Sequence, residues 1–249
     1  VTMRLLRGGE WASELQNHLP LQALDQWMRQ RCLVVKSDRH SLVALGELQQ
    51  KYCYLKLYQP KYLLQQLVFR LGRGRAVQAY DHALRLAASN IPVPQPLACM
   101  QVDGGVLLVT EGMERARDLK SCWQDKGSMV PQLSAAAESL ASLHRGGFAH
   151  GDSKWSNLLW SDNRVYLVDL EAVQACRPGS AAQWRDLARF TVNAEDLALP
   201  SADYEAFLAS YCQHRDIGRA AVLAAIQQPV KRLRRRHRRK YGERGKRLV

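Results

Sequence analysis

The chain has 249 residues, 47% of them apolar, and a formal net charge of +13. That is enough apolar material for one large domain or two small lobes with a core. No apolar run approaches the roughly 18–20 residues of a membrane span, and the sequence opens without the charged, apolar, then small-residue pattern of a leader.

Residues Trp11 to Gln30 carry Leu15, Leu19, Leu24, Trp27 and Met28 at roughly helical spacing, interrupted by Pro20. They predict a helical extension over residues 1–30. Cys32 to Lys36 then predicts a strand, Ser37 to His40 a polar turn, and Ser41 to Leu48 a second strand. After a turn at Gln49 to Lys51, the aromatic, alternating run Tyr52 to Tyr58 predicts a third strand. Between Gly74 and Ala88, Val77, Tyr80, Ala83, Leu84 and Ala87 recur every three or four residues, which predicts a helix. Ser89-Asn90 ends it, and Ile91 to Pro96 is a stiff, proline-rich connector. Leu97 to Gln101 and Val106 to Thr110 flank a hairpin turn at Val102 to Gly105.

An alanine- and leucine-rich helix is expected over Pro131 to Arg145, stopped by Gly146-Gly147. Leu158 to Trp160 and Val165 to Val168 flank the polar turn Ser161 to Arg164, which predicts another hairpin. Residues 181–193 and 203–228 have helical patterns, with Pro229 expected to break the second. No internal repeat is present. The six cysteines are scattered singly with no C-x-x-C pair, which favours buried thiols in a reducing compartment over disulfides or zinc.

The charge is local. Lys231 to Val249 holds eleven Lys/Arg and one Glu, a net +10, leaving +3 for the rest. Such a tail suggests an anionic partner: membrane headgroups, a phosphorylated glycolipid or nucleic acid. The alternative is a solvated end that only keeps the chain soluble.

Residues 150–157 read His-Gly-Asp-Ser-Lys-Trp-Ser-Asn, and Val168-Asp169 follows after the predicted hairpin. This H-x-D-x-K-x-x-N…D spacing suits phosphoryl transfer from ATP. Asp152 can accept or orient the proton of an attacking hydroxyl. Lys154 can sit on the moving phosphoryl group. Asn157 and Asp169, brought together at one end of the hairpin, can hold Mg2+ against the triphosphate. His150 fits a brace for the loop, the alternative being a free catalytic base, a role that Asp152 already fills. Lys56 on the third strand is placed to hold nucleotide phosphates, with Lys51 and Lys61 nearby in sequence. Any one of these residues alone would be an ordinary polar turn or surface group.

The stretch Leu140 to Asn157 resembles the lipopolysaccharide core kinases of the Kdo/WaaP/InaA-like group. Asn90 to Leu97 is similar to the stretch after their small-lobe helix, and Val168-Asp169-Leu170-Glu171 and Arg185-Asp186-Leu187-Ala188-Arg189 fit their metal segment and the next helix. The resemblance runs from about residue 33 to 212. It implies an α+β, bilobal, protein-kinase-like fold: an antiparallel-sheet N-lobe over residues 31–112 and a mainly helical C-lobe over 113–230, with the basic C-terminal tail over 231–249 lying beyond the resemblance. Glu111 and Met113, in the segment joining the lobes, would bind nucleotide, and Asp186 would tie down the catalytic loop, a plain helix acid being the alternative. The implied reaction is ATP- and Mg2+-dependent phosphorylation of a heptose or Kdo hydroxyl in the lipopolysaccharide inner core. The implied partners are a lipopolysaccharide core or lipid A precursor and, through the tail, the anionic cytoplasmic face of the inner membrane. A peripheral cytoplasmic enzyme is expected.

Some features depart from that pattern. A helix glutamate paired with the strand lysine is expected near residues 79–81, where the chain has Ala79-Tyr80-Asp81. Asp81, Glu47 and Glu111 are the candidates, the absence of such a pair being the alternative. Gly72-Arg73-Gly74 lies after Lys56 and reads as a loop before a helix, not as a phosphate loop. Asp169-Leu170-Glu171 lacks the Phe-Gly of regulated protein kinases and no Ala-Pro-Glu follows, which points to a metabolic kinase. Two other readings stay open: a kinase for a protein or small molecule, and a nucleotide-binding pseudokinase or RNA-associated factor. Nucleic acid is not the expected partner, because the tail offers only Tyr241 for stacking.

Overall fold

Strand-forming residues dominate the first hundred positions, and they build one antiparallel sheet. The computed structural model describes residues 3–11, 15, 17–20, 22–48, 50–60, 74–125 and 127–249. The chain divides into two compact units: Val1–Ala88 with Pro94–Arg115, and Ser89–Val93 with Ala116–Val249.

In the first unit, β1 (Arg4–Arg7), β2 (Leu33–Asp38), β3 (Ser41–Leu48), β4 (Lys51–Tyr58), β5 (Pro96–Val102) and β6 (Gly105–Glu111) form a sheet in the order β1-β5-β6-β4-β3-β2. Alternation along β4 sorts its side chains to two faces. Leu55 and Leu57 join a core with Leu15, Leu19, Leu24 and Met28 of the N-terminal segment. Tyr58 packs instead with Ala76, Val77, Ala79 and Tyr80 of α2 (Arg75–Ala88) and with Leu108 of β6. Lys56 follows the parity of Tyr58, so it stands on the α2 face. Its backbone partners are Val43 and Leu108.

The expected helical extension over residues 1–30 is only partly helical. Arg4–Arg7 is a strand on the edge of β5, with an irregularity between Leu5 and Arg7. Pairing with a free sheet edge satisfies its backbone groups, which a four-residue segment cannot do alone. Among the described residues, Leu15, Asn17 and His18 are helical and α1 (Leu24–Arg31) is a regular helix, with Leu24 and Met28 buried. Lys61, Gly72 and Arg73 lie outside the described residues.

The second unit contains β7 (Arg117–Asp118), α3 (Leu119–Gln124), α4 (Val130–Arg145), β8 (Phe148–Ala149), β9 (Leu158–Ser161), β10 (Arg164–Leu167), β11 (Gln174–Ala175), α5 (Ala181–Asp196), α6 (Ser201–Arg215) and α7 (Arg219–Tyr241). β9 and β10 pair around the tight turn Asp162-Asn163, whose residues both take positive φ. Asp118 caps α3 by accepting the amide and hydroxyl hydrogens of Ser121.

The pattern over 203–228 corresponds to two helices, not one. Asp216 takes a left-handed conformation at φ 52°, ψ 52° and closes α6, and Gly218 starts α7. Pro229 does not break the second helix but lies inside α7. An interior proline costs about 3 kcal/mol. Val222, Ile226 and Val230 are buried on either side of it, and each buried side chain of this size returns about 1.5–3 kcal/mol. Packing therefore outweighs the break. As a result, residues 231–241 continue a packed helix and are not a detached tail.

Candidate functional site

The polar loop between β8 and β9 rests on one face of α5. Asp186 is the centre of this contact. It is essentially buried, and its Oδ1 accepts the Gly151 amide at 2.9 Å while Oδ2 accepts the His150 amide. The Ser153 hydroxyl donates to the Asp186 carbonyl at 2.8 Å. Three residues before Asp186, the Gln183 amide donates to the carbonyls of His144 and Phe148. Seven residues after it, Asn193 Oδ1 accepts the Trp155 amide at 3.2 Å. Trp155 is fully buried and packs on Phe190 at 5.3 Å between ring centroids. Gln183, Asp186, Phe190 and Asn193 share a helical face by their spacing, so a rigid helix fixes the loop along its length. Burial would push the Asp186 carboxyl up, but contacts with His144 and with His150 and its amide hold it below the ordinary range.

Gly151 is required by the same packing. Its φ is +80°, and an added Cβ would lie 2.5 Å from the Ala172 carbonyl oxygen.

His150 is buried, and burial holds its pKa below the ordinary histidine value. The Asp152 amide donates to His150 Nδ1, so that nitrogen carries no proton. The proton is on Nε2, which donates to the Val168 carbonyl at 3.0 Å. A neutral imidazole thus ties the residue before Asp169 to the loop that carries Asp152. A second buried histidine, His144 on α4, meets the Tyr211 hydroxyl at 2.7 Å, and its Nε2 lies 3.5 Å from Asp186.

The Asp152 carboxylate is held on both sides. Lys154 Nζ lies 2.7 Å from Oδ2, and the Asn157 amide donates to Oδ2 at 3.1 Å and to the Asp152 carbonyl at 2.9 Å. Arg189 Nε is 3.5 Å from Oδ1, and the same guanidinium donates to the Gly151 carbonyl. Asp152 and Lys154 are each about one third exposed, at 34% and 35%, so solvent or a substrate can reach them.

The hairpin sets the residue before Asp169 beside Asn157, the Val168 amide donating to the Asn157 carbonyl at 3.1 Å. Asp169 takes a left-handed conformation at φ 63°, ψ 53°. Such a conformation in a residue other than glycine is retained when its surroundings impose it, and it recurs at functional sites. With its amide nitrogen on Asp152, Asn157 has its amide oxygen left for a cation. One amide oxygen and one carboxylate suit Mg2+, which keeps several waters or phosphate oxygens and needs few protein ligands. Among the described residues, no group of three or more His, Cys, Asp or Glu forms a complete metal cage. The donor set therefore fits a cation that arrives with a phosphate-bearing ligand.

In the first unit, Lys56 Nζ lies over the Tyr58 ring, 4.8 Å from its centroid. Lys51 is on the opposite face of β4, over the Trp11 ring. Asp81, a candidate partner for Lys56, has both oxygens on Arg7, at 2.9 and 3.2 Å. Glu111 donates its amide to the Gln95 carbonyl, and the Met113 carbonyl accepts from the Tyr54 hydroxyl. Sequence reasoning singled out neither Arg189 nor Gln183, Asn193 and His144. The available signal was the row of polar side chains along an otherwise apolar helical face of residues 181–196.

A family model for lipopolysaccharide kinases (Kdo/WaaP family) matches residues 23–211. The chain belongs to this family. Two curated relatives are named 3-deoxy-D-manno-octulosonic acid kinase. The one from Vibrio parahaemolyticus is 28% identical over 116 residues, 45% of this chain and 48% of the relative. The one from Xanthomonas euvesicatoria is 29% identical over 120 residues, 46% of this chain and 47% of the relative. The chain spans about half the length of the curated relatives it matches. Among solved structures, WaaP in complex with acyl carrier protein is similar at a TM-score of 0.60 and 19% identity, covering 94% of this chain and 99% of that one. That likeness establishes the protein-kinase-like fold of this Kdo/WaaP family member.

Proposed function

We propose that the chain is an ATP-dependent kinase that phosphorylates a sugar hydroxyl of the lipopolysaccharide inner core, with Kdo as the favoured acceptor and a heptose as the alternative. The observation that carries this reading is Asp152, held between Lys154, Asn157 and Arg189 on a loop fixed to Asp186. The names of the two curated relatives support Kdo over heptose.

Asp152 orients the acceptor hydroxyl and takes its proton. Lys154 begins on Asp152 and is within reach of a phosphoryl group arriving beside it. Asn157 and Asp169 hold Mg2+, and Lys56 contacts the nucleotide phosphates. The backbone of Glu111 and Met113 contacts the base. When bound, Mg2+ neutralises charge on the phosphate oxygens. Asp186, His150 and Arg189 touch neither ligand; they keep the loop in one conformation, so that little reorganisation is required at reaction. An acceptor anchored in the inner leaflet of the inner membrane makes a peripheral cytoplasmic enzyme the matching location.

The test is incubation of the purified chain with ATP, Mg2+ and a water-soluble core oligosaccharide bearing Kdo or heptose, read by mass spectrometry. Gain of one phosphoryl group on the Kdo-bearing acceptor supports the reading. Transfer only to heptose would correct the acceptor, and no transfer to either would sink the proposal.

A further inference from the structure

The basic C-terminal residues belong to a fixed helix, and the fold sorts their charges into two sets. Along α7, Val222, Ile226 and Val230 are buried at intervals of four residues. The same stripe continues as Arg234 and His237, which change the packing from apolar to ionic. Arg234 pairs through two nitrogens with Glu195, and His237 Nδ1 lies 2.6 Å from Asp196 Oδ2, both at the C-terminal end of α5. Glu195, itself only 4% exposed, also accepts the Leu248 amide, and its carbonyl accepts the Lys246 amide. Gly245, at φ +62°, permits that approach, since an added Cβ would collide with the Glu195 carbonyl. The helix is therefore clamped on one side by its own arginine, its own histidine and the segment that follows it.

The other side is different. Lys231, Arg232, Arg235, Arg236 and Arg239 are all exposed. None has an acidic partner among the described residues. At about 100° per residue, Lys231, Arg235 and Arg239 form one row and Arg232 and Arg236 the row beside it. Both rows lie on the side of the helix opposite Arg234 and His237. The result is a straight cationic face about 12 Å long, with Arg238 and Lys240 at its margins.

We propose that this outer face of α7 docks on an anionic lipid surface. Its charge matches anionic headgroups, and the fixed helix presents five cations on one side without any ordering of the backbone on binding. Other polyanions fit less well. A nucleic-acid groove combines cations with stacking aromatics, and the basic stretch Lys231–Val249 holds a single Tyr, Tyr241, and no Phe or Trp; that ring already lies under Lys240 and Arg244. A specific protein interface needs apolar or aromatic anchors, and the two rows contain none. The face also has no large apolar residue to insert, so binding is superficial, electrostatic and reversible by salt. The choice of a lipid surface rests in part on the lipid-borne acceptor of the proposed reaction.

Sedimentation with vesicles tests the proposal, using the full chain and phosphatidylcholine vesicles with or without phosphatidylglycerol, at low and high salt. Binding is expected only to the anionic vesicles and only at low salt. Changing Lys231, Arg232, Arg235, Arg236 and Arg239 to Gln should abolish measurable binding, at about fivefold per residue, with the circular dichroism spectrum and Tm retained. A second variant, with Arg31, Arg115, Lys120, Arg164 and Arg177 changed to Gln, removes the same charge from other exposed positions and should bind as the parent does. Equal loss in both variants would mean that net charge alone acts and would overturn the docking face. So would equal binding to neutral vesicles, unchanged binding by the first variant, or tighter binding to RNA or to an acidic protein at matched salt. Turnover of a water-soluble acceptor reads the kinase proposal separately. Vesicle binding by a chain inert toward every soluble acceptor would remove that proposal and leave the docking face standing.

Discussion

Arg189 approaches Asp152 from the side opposite Lys154. Its Nε lies 3.5 Å from Oδ1, while Lys154 Nζ lies 2.7 Å from Oδ2. The two cations differ in how they are anchored. Lys154 is on the same loop as Asp152 and is partly exposed. Arg189 comes from α5 and is also bonded to the Gly151 carbonyl, so it registers the carboxylate against the helix that holds the loop.

Asp152→Asn should reduce turnover by about 10²–10⁴ while nucleotide binding and Tm stay near the parent values. Asparagine keeps the shape but cannot take the proton. Parent-like turnover would show that the hydroxyl is activated elsewhere.

Arg189→Met should lower kcat by about 10²-fold, the scale of a small misplacement of a reacting group, with KM for ATP unchanged. Arg189→Lys should recover part of kcat, because an ammonium can still reach one of the two acceptors. A rise in KM for ATP with kcat intact would instead place Arg189 on the nucleotide.

The difference between Lys154 and Arg189 also marks what the sequence could reveal. Asp152, Lys154 and Asn157 lie within six positions, and Asp169 follows one short hairpin later, so local spacing alone brings them together. The face on which Lys56 stands was legible because side chains alternate along β4. Arg189, Gln183, Asn193 and His144 were not, since the contacts described for them cross 35 to 67 residues and depend on the rotation of α5 or α4 against its neighbours. The path of the N-terminus was hidden for a related reason. Arg4–Arg7 becomes a strand only because β5 offers an edge almost a hundred residues away. Pro229 misled because the local cost of proline is visible in the sequence and the compensating burial of Val222, Ile226 and Val230 is not.

Asp186→Asn should destabilise the fold by roughly 2–3 kcal/mol at neutral pH, through weaker acceptance of the His150 and Gly151 amides. The acid dependence follows from the carboxyl's lowered pKa. Its folded value lies below its unfolded value of about 3.9, so the stabilisation is complete above the unfolded value and disappears as pH falls through the folded one. The Tm gap between parent and variant should therefore be constant above about pH 5 and narrow below about pH 4. Urea melts across that range would show it. A gap that persists undiminished at the acid end would mean that shape, not charge, makes Asp186 necessary.

Asp169→Ala should abolish the Mg2+-dependent part of ATP binding, and Asn157→Ala should weaken it. Asn157→Ala should also lower kcat, since it frees the Asp152 carboxylate from its amide donor. Titration calorimetry of ATP with and without Mg2+ separates the effects. Unchanged metal dependence in both variants would count against the assignment of either residue.

Lys56→Ala should cut kcat/KM by about 10²–10³, the usual loss when a preorganised cation is removed from a phosphate. Lys51→Ala is the control within the same strand. It removes a cation over the Trp11 ring on the face of β4 that carries Leu55 and Leu57, away from α2. Its effect should be a small loss of Tm with kcat/KM retained. The reverse outcome, with Lys51 essential and Lys56 dispensable, would mean that nucleotide meets the other face of the sheet. Asp81 adds a second check on that face. Because both its oxygens are on Arg7, Arg7→Ala and Asp81→Ala should each lower Tm, and the double variant should lose no more than the larger single effect. A large further loss of kcat/KM in Asp81→Ala alone would place that carboxylate in the service of Lys56.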